Sequence, residues 1–116
     1  MSIERVSTDA AESLLQGVAP RLIFKHSPTC GISSAAFIEV SLFAESRPDV
    51  RVVLVDVRRE RGLSQQIAID LGLPHASPQA ILVADGRACW HASHGSVTVQ
   101  QISRAFDALL AGDGAR

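Results

Sequence analysis

The sequence predicts an α/β fold in which helices cover both faces of a four-stranded mixed sheet, in the order αβαβαββα. Short apolar runs, too short for helices, alternate with longer segments of helical periodicity. The pair Asp85-Gly86 then separates two further apolar runs, which is a strong signal for a β-hairpin. Because helices separate the first two strands, these should be parallel, and the hairpin adds an antiparallel pair.

Residues that cap or end helices set the expected boundaries of the helices. Thr8 or Asp9 can cap a first helix, Pro48 stops the second, and Gly72 ends the third. The terminal helix is amphipathic, with one apolar face. We expect helices over 10–16, 30–46, 62–71 and 97–110, strands over 21–25, 50–57, 79–84 and 87–92, a turn over 74–78, and fraying from residue 112.

Composition argues for one folded domain over residues 1–116 and against several classes of partner. Hydrophobic residues make up 47% of the chain and charged residues 20%, which is typical of a globular protein. The net charge of −1 gives no electrostatic basis for binding nucleic acid or a membrane surface. No apolar run could span a bilayer, and two cysteines are too few for a disulfide framework. We therefore expect a cytoplasmic protein.

The segment His26-Ser27-Pro28-Thr29-Cys30-Gly31-Ile32-Ser33 carries the main chemical signal. It places Cys30 at the start of a helix, where unpaired N–H groups and the helix dipole favour a thiolate. Ser33 follows one turn later, and we expect its hydroxyl to donate to the sulfur. Serine cannot form a disulfide, so a mixed disulfide on Cys30 would wait for an outside thiol. The alternative is an inert cysteine buried at a helix start.

A second loop, His75-Ala76-Ser77-Pro78-Gln79, precedes the third predicted strand. In thioredoxin-like proteins, which the predicted order of elements resembles, a proline at this point is usually cis. By that resemblance we expect Pro78 to be cis and to present the backbone N–H and C=O of Ser77 to an extended substrate. The alternative is an ordinary trans turn. His75 borders this loop.

Other residues with chemical potential leave alternatives open. Arg58, Arg59 and Arg61 follow the second strand and could bind the carboxylates of a small thiol, or could be a solvated charge run around Glu60. The histidines His26, His75, His91 and His94 do not form a compact ligand motif, so we expect no metal site. His26 is close enough in sequence to influence Cys30. Cys89 has neither a helix start nor a local partner, and we expect a core or half-buried cysteine. A role in resolving a disulfide would require Cys89 to approach Cys30.

The predicted order of elements is that of the thioredoxin-like architecture. With Thr29-Cys30-Gly31-Ile32-Ser33, His75-Ala76-Ser77-Pro78-Gln79 and Ser93-His94-Gly95 in this order, the chain resembles the monothiol bacilliredoxin family, the YtxJ-like proteins of the bacillithiol system. The resemblance covers nearly the whole chain.

The resemblance implies a thiol–disulfide oxidoreductase that removes bacillithiol from protein mixed disulfides. Cys30 would be the nucleophile, and Ser33 would occupy the resolving position without resolving. Thr29, Gly31, His75, Ser77 and Pro78 are the predicted substrate-binding residues. The expected partners are bacillithiolated proteins and a low-molecular-weight thiol, with bacillithiol as co-substrate and no tightly bound cofactor.

Gly31 departs from the family pattern, where proline is more common. It makes Cys30-Gly31-Ile32-Ser33 similar to the Cys-Gly-Phe-Ser motif of monothiol glutaredoxins, which carry a [2Fe–2S] cluster between two subunits. The chain lacks the Gly-Gly and acidic pair with which glutaredoxins bind glutathione. A cluster carrier and a non-enzymatic module that binds peptides at the proline loop are the two alternative functions.

Overall fold

The computed structural model describes residues 3–5, 15, 17 and 19–112, and these contain a five-stranded mixed sheet. The strands are β1 (Ile3–Arg5), β2 (Arg21–His26), β3 (Arg51–Asp56), β4 (Gln79–Ala84) and β5 (Arg87–Ser93). Their order across the sheet is β1-β3-β2-β4-β5. β3 is parallel to β1 and β2, β4 is antiparallel to β2, and β5 is antiparallel to β4.

The fifth strand, β1, corrects the predicted count of four. It has three residues, Ile-Glu-Arg, which is too short and too polar to give an apolar run in the sequence. Pairing of Ile3 with Val52 and an ion pair between Glu4 and Arg51 hold it at the edge of the sheet. The helix expected over 10–16 lies outside the described residues, except for Leu15, as does most of the segment expected to fray.

In the part of the chain that the structure describes, three helices cover the sheet: α1 (Gly31–Ser46), α2 (Arg61–Leu71) and α3 (Val99–Leu110). Thr98 caps α3 by accepting a hydrogen bond from Gln101 N–H. Gly72 ends α2 in the left-handed conformation that glycine adopts without a steric penalty, with φ of 66°. No helix in the described part of the chain has both the length and the apolar character needed to cross a membrane.

The central strand β2 is buried along its whole length because helices cover both of its faces. Leu22 and Phe24 pack in a cluster with α1 and α3, which includes Phe43 and Phe106. Ile23 lies on the opposite face, in a smaller cluster with α2. Because side chains alternate along β2, successive residues pack in different clusters on the two faces of the sheet. Lys25 therefore lies on the same face as Ile23 and α2.

The carboxyl end of β2 is the edge of the sheet that matters for function. Cys30 follows this end, and the β3–α2 loop leaves the sheet beside it, since β2 and β3 are parallel and in register. The loop before β4 reaches the same edge because β4 is antiparallel to β2, with Lys25 paired to Gln79. Three predicted functional segments therefore meet at one edge.

Candidate active site

Cys30 is the N-cap residue of α1. Its backbone is extended, with φ of −103° and ψ of 126°, and its C=O accepts the first helical hydrogen bond from Ser34 N–H at 3.0 Å. Its side chain is half-buried. The N–H groups of Gly31, Ile32 and Ser33 have no acceptor among the described residues, and no acidic side chain lies in the first turn. These groups can stabilise negative charge on the sulfur.

Ser33 is fully buried, and its hydroxyl does not do what the sequence predicted. Ser33 Oγ accepts a hydrogen bond from Ser27 N–H at 2.9 Å and shares a second with His26 Nδ1 at 2.8 Å. Among the described residues it forms no hydrogen bond with Cys30 Sγ. The expected donation to the sulfur was wrong because a buried hydroxyl bonds to the nearest unsatisfied groups, which here are in the 26–27 segment. Ser33 thus fixes the turn that carries Cys30.

His26 is the partner of Ser33 and is itself buried at the end of β2. Its ring stacks on Phe37 and Phe24, with centroids 5.2 and 5.3 Å away. Burial lowers the pKa of His26, and the positive charge of Arg5 adds to this, while Asp56 opposes it. A neutral imidazole therefore shares the hydrogen bond with Ser33. The expectation that His26 influences the Cys30 segment now has a physical route, through Ser33.

Substituting Ser33 with alanine should destabilise the protein by about 1–3 kcal/mol, because Ser27 N–H and His26 Nδ1 would lose their buried partner. Urea denaturation followed by circular dichroism measures the change. Ser34→Ala is the matched control, since Ser34 is exposed and its hydroxyl only adds a bond to the Cys30 carbonyl; it should cost less than about 0.5 kcal/mol. Equal losses in the two variants would contradict the role of Ser33.

Gly31 occupies the first position of α1, where proline is favoured in helices. A Cβ atom at Gly31 would meet no atom within 4 Å. The extended conformation of Cys30 is the one that a residue before proline requires. The backbone of this chain is therefore already compatible with the proline that its sequence lacks.

Gly31→Pro should accordingly raise the free energy of unfolding by about 0.4–1 kcal/mol, because proline restricts the unfolded chain without straining this turn. Gly31→Ala is the control. Its free energy of unfolding should rise by less, since alanine restricts the unfolded chain less than proline does. Chemical denaturation of both variants provides the comparison. A net loss of stability in Gly31→Pro would show that the first turn of α1 needs the glycine.

The Ser77–Pro78 peptide bond is cis, as predicted. Pro78 C=O accepts a hydrogen bond from His94 N–H at 3.0 Å, which joins this loop to the short 3-10 turn His94–Ser96. Gln79 pairs with Lys25 near the end of β2, so the loop that carries Ser77 reaches the edge of the sheet from which the Cys30 segment leaves. The backbone N–H and C=O of Ser77 form no hydrogen bond within the described chain, and its buried hydroxyl has no partner there. These backbone groups can pair with an extended segment of another molecule.

Lys25 is a functional candidate that the sequence reasoning missed. It is the only lysine of the chain, and it is completely buried. Its ammonium donates hydrogen bonds to Ser64 C=O at 2.8 Å and to His75 Nδ1 at 3.2 Å. Burial lowers the pKa of Lys25 from 10.5 to about 8. Burial and the Lys25 charge also lower the pKa of His75, so its ring is a neutral acceptor.

The three arginines after β3 do not form one cluster. Arg58 and Arg61 line a pocket of about 210 Å³ together with Val57, Ser64, Gln65 and His75, whereas Arg59 does not. Arg58 also donates a hydrogen bond to Thr29 Oγ1 at 3.3 Å, which is how Thr29 enters the site. Two of the three arginines thus contribute to a concave surface beside the Cys30 segment.

Cys89 is half-buried, as expected, but it lies at the other end of the sheet. It is the extra residue of a bulge in β5, between the pairs Val83–Ala88 and Leu82–Trp90. Val83 pairs with Arg21 at the start of β2, whereas Cys30 follows the end of β2. At about 3.3 Å per strand residue the two cysteines are roughly 15–20 Å apart. A disulfide requires Cα atoms within about 7 Å, so Cys89 cannot resolve a disulfide on Cys30 within this fold.

Within residues 3–5, 15, 17 and 19–112, no group of three His, Cys, Asp or Glu side chains is arranged to hold a metal ion. His91 lies on β5, and His94 lies on the 3-10 turn that follows it. The prediction that the protein has no resident metal stays a prediction.

Known structures share this fold. The chain is 30% identical to a candidate oxidoreductase with a thioredoxin fold, with 89% of this chain and 92% of the other covered and a TM-score of 0.82. Mitochondrial thioredoxin 3 from Saccharomyces cerevisiae is 17% identical, with coverage of 91% and 94% and a TM-score of 0.72. Thioredoxin from Fasciola hepatica is 16% identical, with coverage of 92% and 97% and a TM-score of 0.72. The two thioredoxins show the fold alone.

The sequence also matches a family over most of its length. The monothiol bacilliredoxin BrxC family matches residues 5–102, a range that includes Cys30, the cis-proline loop, all of β5 and the first turn of α3. This agrees with the resemblance found from the three motifs and with a thiol oxidoreductase role for the fold. The chain belongs to the monothiol bacilliredoxin family.

Proposed function

We propose that this protein is a monothiol thiol–disulfide oxidoreductase that removes bacillithiol from protein mixed disulfides. One observation carries the proposal: Cys30 is the N-cap of a helix whose first three N–H groups have no acceptor in the described part of the chain, and Ser33 stands where a dithiol enzyme has its second cysteine. Membership in the bacilliredoxin family supports bacillithiol as the thiol. A reducing cytoplasm would keep Cys30 ready for this chemistry.

In the first step, the Cys30 thiolate attacks the bacillithiol sulfur of a modified protein. A disulfide forms between Cys30 and bacillithiol, and the bond between bacillithiol and the protein breaks. The protein sulfur leaves with the electron pair of that bond and takes a proton from solvent. The N–H groups of Gly31 and Ile32 stabilise the thiolate before attack, and an extended substrate segment pairs with the free backbone groups of Ser77. Ile32, more than half exposed, offers that segment an apolar contact beside the sulfur.

In the second step, an outside thiolate restores Cys30. A second bacillithiol attacks the bacillithiol sulfur bound to Cys30, forms bacillithiol disulfide and releases the Cys30 thiolate. Neither Ser33 nor Cys89 can take this role, because serine forms no disulfide and Cys89 lies at the far end of the sheet. The enzyme therefore carries bacillithiol on Cys30 between the two steps.

The test is to incubate the purified protein with a bacillithiolated protein and to follow both partners by mass spectrometry. We expect the substrate to lose bacillithiol and a bacillithiol adduct to appear on Cys30 and not on Cys89. The glutathionylated form of the same substrate is the matched comparison and should react more slowly. If bacillithiol stays on the substrate while Cys30 remains reduced, the proposal fails.

A further inference from the structure

The pocket lined by Arg58 and Arg61 has the composition of an anion site. Among the described residues neither arginine forms a salt bridge, and no acidic side chain lines the pocket. The nearby carboxylate of Asp56 accepts the backbone N–H groups of Arg58 and Arg59, at 2.9 and 3.1 Å. The negative charge of Asp56 thus holds the loop, and no carboxylate in the described part of the chain neutralises the Arg58 and Arg61 guanidinium groups.

A buried cation lies behind the wall of this pocket. Lys25 Nζ contacts Ser64 and His75, and both of these residues line the pocket. Among the described residues no carboxylate pairs with Lys25, so its burial is costly. An anion in the pocket would offset part of that cost. Ten of the eleven basic residues of the chain are arginines, and the single lysine stands at this position.

The pocket is joined to the segment that carries Cys30. Arg58 Nη1 donates to Thr29 Oγ1, and Thr29 immediately precedes Cys30. Val57, another lining residue, donates its N–H to His26 C=O at 3.0 Å. A ligand in the pocket would therefore lie beside the chain that leads to the reactive sulfur.

We propose that Arg58 and Arg61, with Lys25 behind them, bind the carboxylates of the small thiol whose sulfur exchanges at Cys30, an inference that rests on the proposed function. A volume of about 210 Å³ corresponds to roughly seven water molecules. This is room for a small group that carries one or two carboxylates. Planar guanidinium groups suit carboxylates because they can form paired hydrogen bonds.

The first test measures thiol selectivity at Cys30. Protein with Cys89→Ser is converted to its Cys30–pyridyl disulfide. An incoming thiolate forms a disulfide with Cys30, and pyridine-2-thiolate leaves with the electron pair and is read by absorbance. Arg58→Gln and Arg61→Gln should each slow the reaction of mercaptosuccinate with this disulfide by about tenfold. The reaction of bacillithiol, of glutathione or of both should be slowed by a similar factor. Mercaptosuccinate dimethyl ester should react at the same rate with all proteins.

Arg59→Gln is the matched control, because it removes the same charge from the same loop outside the pocket. It should change the mercaptosuccinate rate by less than about twofold. If the mercaptosuccinate reaction is slowed equally in all three arginine variants, general electrostatic attraction explains the effect and the inference is overturned. The inference is also overturned if the variants slow the reaction of the dimethyl ester as much as that of mercaptosuccinate.

A second test does not depend on exchange at Cys30. L-malate is titrated into reduced protein, and the pKa of Lys25 is followed by NMR through the carbon next to its amine. The signal is unambiguous because the chain has one lysine. Malate should raise the pKa of Lys25, whereas dimethyl malate and the Arg61→Gln variant should show no change. Absence of the malate effect would overturn the site. A positive result, combined with no removal of bacillithiol from substrates, would leave the site standing and the proposed function refuted.

Discussion

Replacing Cys30 with serine should reduce thiol–disulfide exchange at least about a thousandfold, because the hydroxyl is not a nucleophile at neutral pH and cannot form a disulfide. The variant should remain folded. Serine is among the preferred N-cap residues, and the Cys30 side chain makes no capping hydrogen bond in the present structure. Release of a fluorescent thiol from a mixed disulfide gives the rate, and the thermal unfolding midpoint confirms folding.

Cys89→Ser is the control for this result, since it removes the other sulfur. Its rate should stay within about twofold of the unmodified protein, because Cys89 lies in the β5 bulge at the far end of the sheet. A Cys30→Ser protein that keeps its activity would support the alternative of a non-enzymatic binding module. A Cys89→Ser protein that accumulates the Cys30 adduct would show that a second protein molecule supplies Cys89 for resolution.

The sequence predicted most of the fold because its boundary signals are local. The strand at Gln79–Ala84 was predicted at its observed limits, and the Asp85-Gly86 turn has the positive φ values, 57° and 75°, that its residues favour. β1 was missed because three residues carry no periodicity, and its pairing with β3 depends on contacts about 50 residues away in sequence. The start of α3 was placed two residues early, since Val97 is apolar but lies before the Thr98 cap.

The site was predicted in its positions but only partly in its contacts. Cys30 at the helix start follows from residue type and order, whereas the cis Pro78 was expected from the resemblance to thioredoxin-like proteins. The structure shows both. The bond between Ser33 and His26 could not be predicted, because it depends on the path of the turn between them. Lys25 could have been found from one signal: the only lysine of the chain follows three apolar residues in a strand. The strand pattern alone places Lys25 at the end of that strand and gives it no chemical role.

Lys25→Met should stabilise the protein by roughly 1–3 kcal/mol at pH 7, since methionine fills similar volume without a buried charge. A pKa lowered from 10.5 to about 8 corresponds to about 3 kcal/mol of cost for the charged form. Below pH 8 the lysine is protonated in both the folded and unfolded states, so the full cost is present. Between pH 8 and 10.5 the unfolded state binds more protons, and the stability contribution of Lys25 rises with pH.

The stability gained by Lys25→Met should therefore be largest below pH 8 and shrink as the pH approaches 10.5. Urea denaturation of both proteins at pH 7, 8, 9 and 10 measures this trend. Titrating groups remote from Lys25 do not affect the trend because they are common to both proteins, and His75, whose pKa Lys25 lowers, is a neutral acceptor over this range. Lys25→Arg is the informative comparison, because guanidinium keeps its charge and should destabilise at every pH. A constant difference between Lys25→Met and the unmodified protein across this range would show that Lys25 titrates normally. If instead the trend holds while the methionine variant loses selectivity for carboxylated thiols, the buried ammonium reduces stability and serves the pocket beside Cys30.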